Sequence, residues 1–256
     1  MDHTFLINSN DRIAKETVEL KLTCMQEFAT KIMPGQFLHI RVPNAKQLTL
    51  RRPISIHAYD EQKRTITLQY AIKGEGTAML SRARVGEQLS ALISGNGFAK
   101  PNGENVFLLG GGIGIAPLYA LMQAYPNHSY TLFLGWRNCA YVFSEAEFKA
   151  KGEVNAFTDD GTYGAQGFAL DGMLSRIAQG VVPNVIYACG PMPMLKALQS
   201  GIRDSIACFV SLEERMGCGF GACLTCNCGI NTPNGVKYKR VCVDGPVFKL
   251  GEVVFA

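Results

Sequence analysis

The chain has 256 residues, of which 47% are hydrophobic and 18% are charged. That balance excludes a disordered chain, and the length exceeds one average domain, so we expect two domains with a small appendage. The formal net charge of +4 is small and evenly spread, which argues against nucleic acid as a partner. The composition is unusual in its 27 glycines and nine cysteines.

The cysteines and the first residues indicate a cytoplasmic protein. An odd number of cysteines cannot all pair within one chain, and a chain of this length does not need a disulfide scaffold, so a reducing compartment is expected. The sequence from Met1 to Phe5 lacks the basic and apolar regions of a secretory signal. Residues 106–122 carry no charge, but glycines and Pro117 interrupt them, so we expect no membrane span.

The first hundred residues read as successive short strands. Val18, Leu20 and Leu22 alternate with polar neighbours, which is the pattern of a half-buried strand. Turn residues separate four more predicted strands, at residues 36–42, 53–59, 65–71 and 88–93. This spacing predicts a small antiparallel barrel or sandwich, which we place at residues 1–99.

After a glycine-rich boundary, residues 100–210 alternate between strands and helices. Ser144 and Glu147 have the spacing of a capping box at the start of one helix. Strand, crossover and strand in this order predict parallel βαβ units, and so an α/β domain. The predicted elements are strands at 106–109, 131–134, 154–158 and 185–189, and a helix at 192–200.

The last segment, residues 211–256, is too small and polar to fold around a core of its own, so we expect a metal centre to stabilise it. Its motif is Cys218-x4-Cys223-x2-Cys226-x15-Cys242. The first two intervals are those of [2Fe–2S] ferredoxins, and the glycines between the cysteines let backbone N–H groups reach sulfur. Zinc and free thiols are the weaker alternatives. Cys228 has no predicted role.

Two features of the α/β domain suggest a dinucleotide. Gly110, Gly111, Gly112 and Gly114 follow a strand directly, where glycine lets backbone N–H groups approach a pyrophosphate. The expected acidic ribose ligand is missing, because Gly135-Trp136-Arg137 stands about twenty residues later, so a tight packing turn is the alternative. Cys189 and Gly190 end a later strand, where they lie either near a nicotinamide or simply in the core.

The predicted barrel carries two weaker motifs. Arg52 supplies a fixed charge for a diphosphate, and Ser55, three residues later, can bond to a flavin ring edge. The run Gly74-Glu75-Gly76-Thr77 is a turn of the kind that binds anions. An exposed arginine and an ordinary turn would explain either motif taken alone.

Taken together, these motifs resemble the ferredoxin–NADP reductase superfamily. The segment from Met216 to Cys223, with the run from Val241 to Phe248, is similar to the electron-transfer subunits of class B, NAD-dependent dihydroorotate dehydrogenases. The resemblance covers essentially the whole chain. It implies a multi-domain α+β fold with an N-terminal flavin-binding antiparallel β-barrel, a Rossmann-like α/β nucleotide domain and a small C-terminal [2Fe–2S] domain.

The resemblance also implies cofactors and their ligands. FAD and a [2Fe–2S] cluster would be bound, with NAD(H) as substrate. The implied iron ligands are Cys218, Cys223, Cys226 and Cys242. The implied FAD contacts are Arg52, Pro53, Ile54, Ser55, Gln69, Tyr70, Ala71, Gly76 and Thr77.

By the same resemblance, no side chain acts as a general base, and electrons pass from dihydroorotate to FMN in a separate catalytic subunit, then to the cluster, FAD and NAD⁺. A heterotetramer with two copies of each subunit is expected. The cluster segment with Lys237, Lys239 and Arg240 is the expected docking surface, although these residues are equally explained as solvated charges. The alternatives are a subunit of a sulfide dehydrogenase, a bifurcating ferredoxin–NADP reductase, or a redox sensor without catalytic activity.

Overall fold

The N-terminal part of the chain is a closed antiparallel barrel. The computed structural model describes residues 2–28, 31–45, 47–203 and 205–255. Within these residues, six strands close in the order β1-β2-β5-β4-β3-β6. Leu20 and Leu22 are fully buried inside, which confirms the predicted alternation. The elements are β1 (Asp2–Ala14), β2 (Thr17–Cys24), β3 (Phe37–Arg41), β4 (Arg52–Asp60), β5 (Thr65–Ala71), α1 (Glu75–Leu80) and β6 (Gln88–Ser94).

The middle of the chain forms a parallel sheet with helices between its strands. The strands run in the order β10-β9-β8-β7-β11-β12. None of the helices in the described ranges is both long enough and apolar enough to cross a bilayer. The elements are β7 (Asn105–Gly111), α2 (Ala116–Ala124), β8 (Ser129–Trp136), α3 (Glu145–Lys149), β9 (Glu153–Thr158), β10 (Ala165–Gln166), α4 (Ala169–Ala178), β11 (Val185–Cys189), α5 (Met192–Gly201) and β12 (Ala207–Ser211).

The C-terminal segment leaves this sheet and returns to it. Its strands are β13 (Asn227–Thr232), β14 (Gly235–Arg240), β15 (Val247–Lys249) and β16 (Val253–Val254). β13, β14 and β16 form a small sheet, while β15 pairs antiparallel with β12, so that Ser211 stands opposite Val247. The cysteine motif therefore lies on an excursion between two neighbouring strands, and the predicted third segment shares a sheet with the second.

Two features differ from the sequence prediction. Residues 2–14 form β1, which pairs with both β2 and β6, although polar residues 8–11 hide its alternation. The predicted capping box is wrong: Ser144 adopts a left-handed φ of 54° and makes no side-chain cap. Its hydroxyl instead accepts a hydrogen bond of 2.7 Å from Nε2 of Gln69, and Glu147 bonds to His57. Both side chains serve the contact between barrel and α/β domain.

His57 on β4 is the centre of that contact. It is buried and stacks on Tyr119 of α2 with ring centroids 4.7 Å apart. Its Nδ1 lies 2.9 Å from the Ala116 carbonyl oxygen and its Nε2 lies 3.0 Å from Oε2 of Glu147. Both oxygens accept, so the ring satisfies both contacts when each nitrogen carries a proton. The imidazole thereby fixes the barrel to the start of α2.

This contact predicts a pH-dependent stability. The hydrogen bond from His57 holds the pKa of Glu147 below its ordinary value, so the carboxylate stabilises the fold above that value and the contribution is lost as pH falls through the lowered pKa. Because Glu147 is 46% exposed, we expect Glu147→Gln to lower the free energy of unfolding by only about 0.5–1 kcal/mol at pH 7.

Urea unfolding at pH 7 and at pH 3 measures this difference. The loss of stability in Glu147→Gln should be present at pH 7 and absent at pH 3. Glu153→Gln, which breaks an exposed pair with Arg176 inside the α/β domain, is the matched control. An equal loss in Glu147→Gln at both pH values would contradict the assignment.

Candidate functional site

An open cleft with a cavity volume of about 190 Å³ lies between the barrel, the glycine loop and the start of the C-terminal segment. Three separate parts of the chain form its walls, and most of the predicted FAD contacts lie among them. Its lining residues are Phe37, Pro53, Ile54, Ser55, Gln69, Tyr70, Ala71, Lys73, Thr77, Ile113, Gly114, Pro117, Ser211, Leu212, Glu213, Glu214, Met216 and Pro246.

Arg52 and Gly76 do not line this cleft, but they contact each other beside Pro53 and Thr77, which do. A Cβ atom placed on Gly76 would lie 2.1 Å from Nε of Arg52, so only glycine leaves room for the guanidinium. Arg52 Nη1 donates to the Leu50 carbonyl at 2.6 Å, which fixes the group across the turn. The Thr77 hydroxyl accepts from the Lys73 and Gly74 N–H groups at 3.0 and 3.2 Å. A guanidinium over a turn of this kind suits a diphosphate.

Gln69 and Tyr70 form the inner wall. Gln69 is 1% exposed, and its Nε2 donates to Glu19 and Ser144. Its Oε1 is buried without a hydrogen-bond partner in the described part of the chain, which leaves an acceptor for a ligand N–H. Burial raises the pKa of Tyr70 well above its ordinary value, so its hydroxyl remains neutral. This wall offers an apolar surface with one unused acceptor, as a flavin ring requires.

The glycine loop serves two clefts. Gly110, Gly111 and Gly112 line a second cleft, while Gly114 lines the first. Gly112 has a left-handed φ of +54°, and a Cβ there would meet nothing within 4 Å, so its backbone faces open space. A Cβ on Gly114 would lie 2.5 Å from the Cys189 carbonyl oxygen. Gly114 is therefore needed for packing against the end of β11.

Cys189 lies beneath that contact rather than in the open cleft. The side chain is 2% exposed, and burial raises the pKa of its thiol, which keeps it protonated. Gly190 is packed as well, because a Cβ there would lie 2.6 Å from the Met194 methyl and 3.0 Å from the Gly111 nitrogen. Cys189 and Gly190 thus support the loop from behind.

The second cleft, with a cavity volume of about 390 Å³, lies at the carboxyl ends of β7, β8, β9 and β11. Sheets of this type bind nucleotides at that edge. Asp159 follows β9 directly and brings a carboxylate to this cleft. Trp136, Arg137 and the 64% exposed Phe168 also line the cleft. The sequence analysis did not identify Asp159 or Phe168. The signal for Asp159 was its position directly after the strand predicted at residues 154–158.

The four motif cysteines form two pairs. Sγ of Cys218 accepts from the Ala222 and Cys223 N–H groups at 3.3 and 3.4 Å, and Sγ of Cys223 accepts from the Cys218 N–H at 3.3 Å. Hydrogen bonds, first from the Thr225 hydroxyl, lower the pKa of Cys223 to about 6, which favours the thiolate that binds metal. Cys226 and Cys242 form the second, buried pair.

Burial, followed by the neighbouring Cys226, raises the pKa of Cys242 to about 12. Within the described ranges, no set of three or more His, Cys, Asp or Glu side chains is arranged around one metal ion. Cys228 is buried in β13, and burial raises its pKa to about 11, which agrees with a packing role.

Arg240 stabilises the cysteine loop. Its Nε lies 2.9 Å from Oδ2 of Asp244, and its Nη1 donates to the Gly221 carbonyl at 3.2 Å. It therefore ties the loop around Cys218 and Cys223 to the turn after Cys242. Lys237 and Lys239, the other expected docking charges, are exposed on β14. Arg240 is thus paired with Asp244 within the chain. The docking hypothesis did not take this ion pair into account.

The cysteine segment is fastened to the end of β6. Ser94 Oγ donates to the Gly219 carbonyl at 2.9 Å, the Gly95 N–H donates to the Cys242 carbonyl at 3.0 Å, and Asn96 Nδ2 donates to the Asp244 carbonyl at 2.9 Å. Met216, two residues before Cys218, lines the first cleft. The cysteines and the first cleft are therefore adjacent.

The contact between Arg52 and Gly76 predicts a selective loss of flavin. Gly76→Ala should displace the flexible guanidinium while the fold is kept. The loss of one charge-assisted contact, about 1.5–3 kcal/mol, should weaken FAD binding at least tenfold. Fluorescence titration of the flavin-free protein with FAD measures this.

Gly74→Ala is the matched control, since its φ is −162° and a Cβ there meets nothing within 4 Å. It should bind FAD like the wild type. Equal FAD affinities in Gly76→Ala and Gly74→Ala would show that Arg52 does not contribute to the FAD site.

Comparisons with known proteins agree with this geometry. Residues 213–254 match the family model for the iron–sulfur cluster binding domain of dihydroorotate dehydrogenase B. The electron transfer subunit of dihydroorotate dehydrogenase B (NAD(+)) from Shouchella clausii is 46% identical over 227 residues, covering 86% of each chain. The subunit of the same name from Geobacillus thermodenitrificans is 44% identical over 252 residues, covering 96% of each chain.

Solved structures share the fold. A chain from the structure of an NADH-dependent reduced ferredoxin–NADP oxidoreductase superimposes with a TM-score of 0.85 at 24% identity, covering 98% of this chain and 89% of that one. The ferredoxin reductase of carbazole 1,9a-dioxygenase gives a TM-score of 0.69 at 19% identity, covering 81% and 68%. With relatives above 40% identity over nearly their whole length, the chain belongs to the family of electron transfer subunits of NAD-linked dihydroorotate dehydrogenase B.

Proposed function

We propose that this chain carries electrons between a dihydroorotate dehydrogenase catalytic subunit and NAD⁺ in pyrimidine biosynthesis. One observation carries the proposal: the first cleft shares Gly114 with the glycine loop of the second cleft and shares Met216 with the cysteine segment. The three candidate binding regions are thus neighbours, with the first cleft between the other two. Electron transfer between bound groups requires such proximity.

FAD is assigned to the first cleft. When bound, a flavin exchanges electron pairs with nicotinamide and single electrons with an iron–sulfur centre. Arg52 and the turn at Gly76 hold the diphosphate by charge and backbone N–H groups. Gln69 Oε1, which has no partner in the described residues, would accept a hydrogen bond from the flavin ring, and Gly114 would leave this wall of the cleft free of a side chain.

NAD(H) is assigned to the second cleft. The N–H groups of residues 110–112 face the diphosphate, as at the glycine loops of other dinucleotide sites. The Asp159 carboxylate accepts hydrogen bonds from ribose hydroxyls and repels a 2′-phosphate, which favours NAD over NADP. Phe168 covers the cleft with an apolar ring.

The [2Fe–2S] cluster is assigned to the two cysteine pairs. Cys218 and Cys223 bind one iron, and Cys226 and Cys242 bind the other. The N–H groups around Cys218 and Cys223 stabilise the charge on sulfur. We place the protein in the cytoplasm, where reducing conditions keep the cysteines outside the cluster as thiols.

The docking surface is assigned to the rim of the cysteine loop. Phe220 is 64% exposed, Leu224 is 56% exposed and Val243 is 39% exposed, and Lys237 and Lys239 lie on the neighbouring strand. Large apolar side chains grouped on a surface are typical of a protein interface. The partner is an FMN-containing catalytic subunit, in a heterotetramer with two copies of each subunit.

Reconstitution with the catalytic subunit tests this function. The pair should oxidise NADH in an orotate-dependent reaction, whereas the chain alone should reduce only artificial dyes. Absence of orotate-dependent turnover with a chain that contains flavin and cluster would contradict the proposal.

Phe220→Asp should weaken coupling to the catalytic subunit at least tenfold and leave dye reduction unchanged, because it adds a charge to an apolar contact. Val182→Asp, at an exposed valine of the α/β domain, is the control and should couple normally.

The cluster assignment has its own test. Cys242→Ser should lose most iron and sulfide, since it removes one of four ligands, and the visible absorption of the cluster should disappear. Cys228→Ala should keep two irons and two sulfides per chain. Iron and labile sulfide analysis on the purified variants measures both. If only Cys228→Ala lost the cluster, Cys228 would be the ligand and Cys242 would not.

A further inference from the structure

His39 occupies an unusual place between the barrel and the cysteine segment. Its neighbours on β3, Leu38 and Ile40, belong to the barrel core, so His39 points outward with Phe37. Although His39 points out of the barrel, it is fully buried. Its partner across the sheet is Pro53, which lines the first cleft.

The ring meets the cysteine segment directly. A Cβ placed on Gly219 would lie 2.1 Å from Nδ1 of His39, and the φ of Gly219 is +78°, so the backbone after Cys218 is shaped to admit the ring. The hydroxyl of Ser94 holds the Gly219 carbonyl on the same side at 2.9 Å. The imidazole thus separates the flavin wall from the first predicted iron ligand.

Both ring nitrogens of His39 are buried without a hydrogen-bond partner among the described residues. An imidazole carries at least one ring N–H in either protonation state, so His39 always has a donor to satisfy. The backbones of Cys218 and Arg51 lie near the ring, but neither offers a partner in hydrogen-bonding geometry. A buried donor of this kind normally has a partner.

We propose that His39 donates its ring N–H to a sulfur atom of the iron–sulfur centre and thereby sets its reduction potential from the barrel side. This inference rests on the proposed function, because it requires a bound cluster. Sulfur that is bonded to iron accepts N–H donors, and each such bond stabilises the more negative, reduced state. His39 is thus a positioning and tuning residue on the side of the cluster that faces the flavin.

The midpoint potential of the cluster in the full chain tests the proposal. In His39→Leu, which fills similar space without a donor, the ratio of reduced to oxidised cluster at a fixed potential should fall about tenfold, equivalent to about 59 mV. His39→Gln restores a donor and should recover most of the shift. His128→Gln, at an exposed histidine bonded to the Gly103 carbonyl, is the control and should not change the potential.

Pulsed electron paramagnetic resonance of the wild-type chain gives a second readout that does not depend on a variant that folds poorly. With ¹⁵N-labelled histidine, the reduced cluster should show one weak nitrogen coupling, and the coupling should disappear in His39→Gln. An unchanged potential in His39→Leu, or no coupling, would overturn the inference. A strong coupling typical of a coordinating nitrogen would also overturn it, because His39 would then be a ligand.

Iron and sulfide analysis of the same samples separates this inference from the function on which it rests. A wild-type chain without cluster would refute the proposed function. A chain with two irons and two sulfides but no histidine coupling would refute only the role of His39.

Discussion

The close approach of the glycine loop to the end of β11 is the constraint on which the other parts of the site depend. Gly114 lies so near the Cys189 carbonyl that no side chain fits between them. Because Gly114 packs directly on the end of β11, the glycine loop borders both the first and the second cleft. A larger residue there would raise the loop and separate the barrel from the nucleotide edge of the sheet. Close packing between backbone atoms thus sets the distance between the two clefts.

A second set of contacts fixes the two large domains against each other. Gln69 and His57 reach from the barrel to Ser144 and Glu147, on or just before α3. The four side chains are polar, yet they lie at a largely buried boundary, where each bond is directional. An apolar boundary of the same size would tolerate sliding, whereas these bonds specify one orientation. The walls of the first cleft, which come from both domains, therefore keep a fixed separation.

The parts of the site that sequence predicted are those whose chemistry lies within a few consecutive residues. The cysteine spacing, the glycine loop and the Arg52 motif are local, and the structure brings them to adjacent clefts. The missed parts depend on residues far apart in the chain. Ser144 resembled a helix cap because its true partner is Gln69, and Asp159 could be recognised only once β9 was placed beside β8. His39 has no local signal, since its importance comes from Gly219.

The excursion that carries the cysteines begins after Ser211 and ends before Val247, and these two residues stand opposite each other in the sheet. Strands in a ladder are about 4.8 Å apart, so a short turn could join the same two points. The chain therefore leaves the sheet and returns to it at one rung of the ladder. The excursion is nevertheless part of the common core, because Cys226, Cys228 and Cys242 are buried in the same hydrophobic cluster as Leu109 and Ile186 of the parallel sheet. The cysteine segment is thus an insertion in the order of the strands but not in the packing.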